Sequence, residues 1–356
     1  MVAIGVLAAI VISIAGRNKP GAANGGPVTI VKGVIGSEKQ AFFSDSEVQS
    51  TFRSHGFDVR VDTAGSRQIA TSTDLSKYDF AFPAGVPAAV KIRKDRKTNK
   101  SYEPFYTPIV VASFKPVAEL LAQNGAAKNQ GSYYTLDIGA FEALVAQNKR
   151  WSDLPSNTTY PASKSILITS TDVRTSNSAA MYLAIASYVA NHNNIVQDQA
   201  QADAVLPGLE PLFLRQGFAE TSSEGPFNDY LSIGIGKTPM VLIYESQFVA
   251  RAAARDGSIT KDMVLMYPSP GLLSKHTLVP LDQNGDQVGQ LLQGDSKLQG
   301  LEIKYGFRTS NAAQFKQFAS SHGVNLPDAL SNVIDPPTYE VLEYMISTIE
   351  KKIGGQ

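Results

Sequence analysis

The stretch Ile168-Thr-Ser-Thr-Asp-Val-Arg-Thr-Ser-Asn-Ser-Ala-Ala-Met-Tyr-Leu183 decides how this chain is read. An apolar, β-prone run, Ser165-Ile-Leu-Ile-Thr-Ser170, leads into a cluster of hydroxyls and one amide. That cluster leads into a good helix former, Ala179-Ala-Met-Tyr-Leu-Ala-Ile-Ala186. Strand, polar turn and helix start point unsatisfied backbone N–H groups at whatever lies before the helix. Ser176, Asn177 and Ser178 also suit the N-cap. Taken alone, the stretch reads equally as a ligand-facing helix start or as an ordinary capped connection.

Composition narrows the choice of class. The chain has 356 residues, 43% apolar and 18% charged, which is enough for two ordinary domains with normal cores. Lys+Arg and Asp+Glu balance at 32 each, so nothing favours nucleic acid or a polybasic membrane contact. No cysteine is present, which excludes disulfides, thiolate nucleophiles and cysteine-rich zinc sites. The histidines His55, His192, His276 and His322 show no metal-ligand spacing. No metal, cofactor or catalytic residue is expected.

Residues 1–26 stand apart. Val2 to Ala15 is an apolar run suited to a signal-peptide core, with a small-residue cleavage site at Ser13-Ile14-Ala15. An uncleaved membrane anchor is the alternative. Residues 16–26 are rich in Gly, Ala and Asn and read as a flexible tether. Export to the periplasm or cell surface is expected, although the basic residues follow the apolar run instead of preceding it.

From Pro27 strands and helices alternate. Strands are expected at Val28–Ile35, Phe57–Asp62 and Tyr78–Phe82, each ending in a small or polar loop, with a helix through Glu47–Phe52. Repeated βαβ units imply a mostly parallel sheet with ligands beyond the carboxyl ends of its strands. Lys91–Lys100 reads as a basic solvated loop. A strand at Tyr106–Ser113 and a helix at Lys115–Gln123 follow. Later strands are expected at Thr238–Ser246 and Asp262–Pro268, and amphipathic helices at Ala312–Ser320 and Thr338–Ile353.

Two motifs are set aside. Gly234-Ile-Gly-Lys-Thr238 lacks the first glycine of a phosphate-binding loop, and Pro239 interrupts the required helix. Asp282-Gln-Asn-Gly-Asp286 lacks the calcium-loop glycine and final acid, and reads better as an Asn-Gly hairpin turn.

The order of these segments resembles the type 2 periplasmic-binding-protein fold of the bacterial extracellular solute-binding proteins of ABC importers. The resemblance spans residues 27–353. It rests on Gly36-Ser-Glu38, Ala64-Gly-Ser-Arg67, Ala81-Phe-Pro-Ala-Gly85, Trp151-Ser-Asp-Leu154, Thr171–Ser178, Tyr244-Glu-Ser-Gln247 and Met266-Tyr-Pro268. It implies an α/β protein of two lobes, with mixed, mostly parallel sheets and two hinge strands. Lobe I would be 27–112 plus 268–356 and lobe II 113–267, with hinges near Ile109–Ser113 and Leu265–Pro268. Ligand would be trapped between the lobes with no chemistry done on it.

The expected ligand contacts are Ser37, Glu38, Gly65, Ser66, Arg67, Pro83, Gly85, Asp172, Arg174, Ser176, Asn177, Ser178, Tyr244, Glu245 and Tyr267. Hydroxyls, helix N-termini and the Arg67 and Arg174 forks suit an oxyanion or carboxylate. Glu38, Asp172 and Glu245 oppose a bare anion unless they pair with those arginines or bind an amine or sugar hydroxyls. Tyr244 and Tyr267 can stack on an organic ligand or belong to the core. An anionic or zwitterionic small-molecule solute is therefore expected, with an ABC permease as partner, a monomeric chain, membrane contact only through residues 2–15, and no nucleic acid. The competing readings are a membrane-anchored sensor or interaction module on the same fold, and an enzyme.

Overall fold

In the computed structural model, residues 28–353 are described except 156, 218 and 331. The signal-peptide or anchor reading of 1–26 lies outside the described residues. The expected βαβ units open the fold. Strand β1 (Thr29–Ile35) leads to α1 (Gln40–Ser44) and α2 (Ser46–Ser54), β2 (Phe57–Thr63) to α3 (Ser66–Thr71), and β3 (Phe80–Phe82) to α4 (Val86–Arg96). β1 pairs in parallel with β2 on one side and β3 on the other. Val31, Val34 and Ile35 are buried on its two faces, as helix-covered parallel strands require.

The long strand β4 (Tyr102–Phe114) runs on into α5 (Lys115–Gln123), β5 (Ala127–Asn129), β6 (Tyr134–Asp137) and α6 (Ile138–Ala146). Next come α7 (Asn177–Ala190), α8 (Gln199–Leu214), α9 (Glu224–Ser232), β7 (Met240–Tyr244) and α10 (Glu245–Ala254). β8 (Met263–Ser269) and β9 (Gly271–Pro280) return the chain to the first sheet region. The remainder is α11 (Gln283–Gly294), α12 (Ser296–Lys304), α13 (Ala312–Ser321), β10 (Val333–Ile334) and α14 (Tyr339–Ile353).

β4 is the spine of the sheet. Its residues 102–108 pair antiparallel with β9, which itself pairs antiparallel with β3. Its residues 109–114 pair antiparallel with β7 and β8, and β8 pairs in parallel with β6. The strand order is therefore β2-β1-β3-β9-β4-β8-β6-β5, a mixed sheet whose two halves share β4. The buried apolar residues form three clusters. Val31, Phe42, Phe80, Phe105 and Leu278 belong to one, Val34, Ile69, Ala81 and Val279 to a second in the same half, and Val111, Leu121, Phe141, Ile185, Leu209 and Met266 to the third, in the other half.

The helices follow local rules. α5 starts with a proline in its first turn and buries Val117, Ala118, Leu120 and Leu121, one stripe at helical spacing. α14 buries Val341, Leu342, Met345, Ile346 and Ile349. That stripe joins the cluster holding α7 and α8, while Glu340 of α14 bonds Lys94 of α4. The last helix thus touches both halves of the molecule.

Three local expectations need correction. The first half of the basic run Lys91–Lys100 is helical, because Arg93, Lys94 and Arg96 form the last turn of α4, where cations favour the helix dipole. Asp282-Gln-Asn-Gly is no hairpin turn. Asp282 caps α11 by accepting from the Gly285 amide, and a Cβ on Gly285 would lie 1.9 Å from the Asp79 carbonyl oxygen. The β-prone run 165–170 makes only isolated bridges, Arg150 to Ser165 and Thr169 to Val241.

Candidate functional site

The loops after β1, β2 and β3 meet the start of α7 and the start of α9 across the middle of the molecule. Between them lies a cavity of about 220 Å³ lined by Gly36, Ser37, Glu38, Thr63, Ala64, Gly65, Ser66, Gln68, Ser176, Asn177, Thr221, Ser222, Ser223 and Tyr244. Seven sequence-selected residues therefore line one cavity: Ser37, Glu38, Gly65, Ser66, Ser176, Asn177 and Tyr244. A larger hollow of about 550 Å³, near Lys115, Tyr133, Met263 and His322, contains none of the residues selected from sequence.

The start of α7 behaves as its sequence suggests. Ser176 occupies the N-cap, yet its side chain caps nothing. Its Oγ instead meets Ser178 Oγ at 3.0 Å, and Ser178 Oγ meets Thr171 Oγ1 at 2.8 Å. No side-chain acceptor therefore caps the first-turn amides, and they face the cavity side of the helix. Ser178 is fully buried and supports Ser176 instead of facing the cavity. The Asn177 amide donates to Tyr244 Oη at 3.1 Å and Ser274 Oγ at 3.3 Å, which fixes its orientation. Burial pushes the Tyr244 phenol pKa up, so Oη keeps its proton.

The opposite wall is set by close backbone packing. Ser66 Oγ accepts from the Ala84 amide at 2.9 Å, which ties the second loop to the third and leaves the hydroxyl proton free to donate. Pro83 and Gly85 stand behind this contact instead of lining the cavity. The Pro83 carbonyl accepts from the Thr277 amide at 3.3 Å, and a Cβ on Gly85 would lie 2.4 Å from Asn177 Oδ1. A Cβ on Gly65 would lie 2.2 Å from the Thr175 carbonyl oxygen. Ser37 Oγ meets Ser222 Oγ at 3.0 Å across the gap. Residues far apart in sequence thus touch on both sides of the cavity.

The expected arginine forks do not reach the cavity. Arg67 is bound by Glu343 of α14, with Nε at 2.9 Å from Oε2 and Nη2 at 2.5 Å from Oε1, and its Nη1 donates to the Arg174 carbonyl at 2.9 Å. Arg174 is paired with Asp172, Nη2 to Oδ2 at 2.7 Å. Both guanidiniums are held by carboxylates outside the cavity, so neither is placed to hold a ligand there. Glu245 and Tyr267 are also turned away. Glu245 is fully buried and accepts from Arg308 Nε at 2.6 Å and Nη2 at 2.9 Å, and from Tyr267 Oη at 2.5 Å.

Glu38 lines the cavity and has a partner beneath it. The Lys39 ammonium donates to its Oε1 and lies 3.0 Å from His276 Nδ1. Lys39 and His276 are fully buried. Burial lowers both pKa values, and the neighbouring Lys39 charge lowers that of His276 further. Among the described residues no group of three or more His, Asp or Glu side chains is arranged to hold a metal ion.

Sequence reading missed Thr221, Ser222 and Ser223. Their signal was present, since Thr221-Ser-Ser-Glu224 is a hydroxyl run leading into α9, the same chemistry as the stretch before α7. It also missed Lys39 and His276, which meet only in the folded chain.

No protein-family model matches this chain, and no curated protein matches it. Solved structures do. A ferric binding protein from Campylobacter jejuni superposes with a TM-score of 0.56 at 9% identity, over 91% of this chain and 98% of that one. The substrate binding protein of an ABC transporter from Agrobacterium tumefaciens gives 0.54 at 13% identity, over 92% and 94%. The sulfate-binding protein SubI from Mycobacterium tuberculosis H37Rv gives 0.51 at 14% identity, over 88% and 96%. The fold is that of the type 2 periplasmic solute-binding proteins.

Proposed function

We propose that this chain is an extracytoplasmic solute-binding protein that closes over a small anionic or zwitterionic solute and presents it to an ABC importer, without chemistry on the solute. One observation carries the reading. A single cavity of about 220 Å³ receives hydroxyls from the loops of both sheet halves and the uncapped start of α7. Its volume is below the roughly 300–1,000 Å³ of drug-sized pockets, which favours a small solute. Amides at a helix start with hydroxyls around them suit acidic oxygens. Among the described residues no lysine or arginine lines the cavity, so an acidic group would be held by dipoles and neutral donors.

The change of partners along β4 supports the same reading. The two halves would separate where β4 changes partners, between Pro108 and Ile109, and at the β8–β9 junction. Opening would break the Ser37–Ser222 contact and admit the solute, and closure would exclude water. Isothermal calorimetry with oxyanion and amino-acid panels tests this. One saturable site is expected, with about 2.7 kcal/mol of stabilisation at a hundredfold excess over Kd. Binding of neutral sugars only, or of nothing, overturns it.

A further inference from the structure

Glu38 is the one charged side chain among the described residues that line the cavity. Its positive partner does not reach the solute, because Lys39 is fully buried beneath it. The Lys39 ammonium binds Glu38 Oε1, lies 3.0 Å from His276 Nδ1 and sits 4.8 Å from the centre of the Phe82 ring. His276 Nδ1 is 3.4 Å from the same oxygen, Oε1. Glu38 Oε2 has no hydrogen-bond partner among the described residues, whereas every contact to the carboxylate from below falls on Oε1.

The chemistry of the lining then separates into two kinds. Hydroxyls, such as those of Ser37, Ser66 and Ser176, can rotate to donate or accept as the solute demands. A carboxylate neutralised from behind accepts only. A solute atom that meets Oε2 must therefore bring a proton of its own. An acceptor placed there would leave two facing oxygens without a hydrogen between them, in a site where unpaired polar groups are costly.

We propose that Glu38, held by the buried Lys39, makes the cleft select solutes that carry a hydrogen-bond donor, an ammonium or hydroxyl, beside their acidic oxygens. The acidic end faces the start of α7 and the donor end faces Glu38. The inference rests on the solute-binding reading above and assigns the cleft a substrate class within it.

The test uses matched probes: glycine against acetate, aminomethylphosphonate against methylphosphonate, and sulfate as an anion with acceptors only. Calorimetry on the whole chain is expected to give at least tenfold tighter binding of the donor-bearing member of a pair. Glu38→Gln is expected to reverse the order, weakening donor-bearing probes and tightening donor-free ones, a crossing that general damage to the fold cannot produce. The double variant Glu38→Gln with Lys39→Met removes the buried cation and is expected to lose donor preference without gaining affinity for sulfate. If the parent binds sulfate or acetate at least as tightly as the donor-bearing probes and Glu38→Gln leaves the ratios unchanged, the inference fails and the solute-binding reading stands. If the parent binds no probe, both fail.

Discussion

Two polar clusters flank the start of α7, and they use similar residues to opposite ends. In the outer corner, Arg67, Arg174, Asp172 and Glu343 bind one another, and Arg67 reaches the Arg174 carbonyl at 2.9 Å. In the cavity, Ser37, Ser66, Ser176 and Asn177 bond to neighbours but retain donors or acceptors not used by the protein. Both clusters join segments from the two halves of the sheet. The corner groups are taken up mainly with one another, although Asp172 and Arg174 also edge a separate hollow of about 530 Å³, whereas the cavity groups keep bonding capacity for something else. Residue type does not separate them, since arginine is the stronger anion ligand in isolation. What each group is already bonded to decides its role.

The largest effect should come from preventing the two halves from meeting. Gly65 has an ordinary φ of −64°, so alanine there imposes no backbone strain. Its Cβ, however, would overlap the Thr175 carbonyl oxygen at 2.2 Å. Gly65→Ala is expected to lower solute affinity by about a hundredfold, roughly 2.7 kcal/mol, while the unliganded melting temperature changes little. Small-angle scattering at saturating solute should show the variant remaining expanded. A variant that compacts and binds like the parent would break the closed-cleft picture.

Asn177→Ala should come next. It removes the donor to Tyr244 Oη and Ser274 Oγ and empties the cavity wall opposite Gly85. A loss of about tenfold in affinity, near 1.4 kcal/mol, is expected by calorimetry. Asp172→Asn in the corner should change affinity far less. If the two variants rank the other way, the assignment of roles to the clusters is reversed.

The cavity floor adds a pH dependence of its own. His276 is buried neutral against Lys39, with Glu38 Oε1 3.4 Å from its Nδ1, and burial and the Lys39 charge hold its pKa well below the ordinary value of about 6.5. Below that value the unfolded chain binds a proton that the folded chain does not. The stability contribution of this group is therefore complete above about pH 6.5 and declines as the pH falls. Urea midpoints from pH 7.5 to 5.5 should fall, and His276→Gln should flatten that slope. An unchanged slope would show that the imidazole accepts its proton in the folded state.

How much of this was legible in sequence follows from how local each signal is. The start of α7 was legible because its hydroxyl cluster and its helix are adjacent in the chain. Ser222 and Ser223 carried the same cue before α9, but no apolar strand-like run precedes them. β9 was not legible: eight of its ten residues are buried, so it shows no alternation of the kind that marks a half-exposed strand. The Lys39–His276 contact joins residues 237 positions apart, and the Arg67–Glu343 pair spans 276. No spacing rule reaches that far, so Arg67 read as a free fork and Lys39 was not read as a site residue at all.

The smallest effect tests that misreading directly. Were Arg67 a ligand fork, Arg67→Ala would remove a bidentate charged contact and abolish binding. In this structure the side chain is about a quarter exposed and its fork is occupied by Glu343, with Glu350 3.3 Å away. Partly exposed ion pairs contribute about 1 kcal/mol or less and weaken with salt. Arg67→Ala should therefore reduce solute affinity by no more than about fivefold, through weaker closure, and the difference from the parent should shrink at 0.5 M salt. Glu343→Gln should give the same small, salt-sensitive loss although Glu343 never approaches the cavity. Matching behaviour in the two variants marks the pair as a clasp on the closed form. A loss confined to Arg67→Ala and insensitive to salt would return the arginine to the solute.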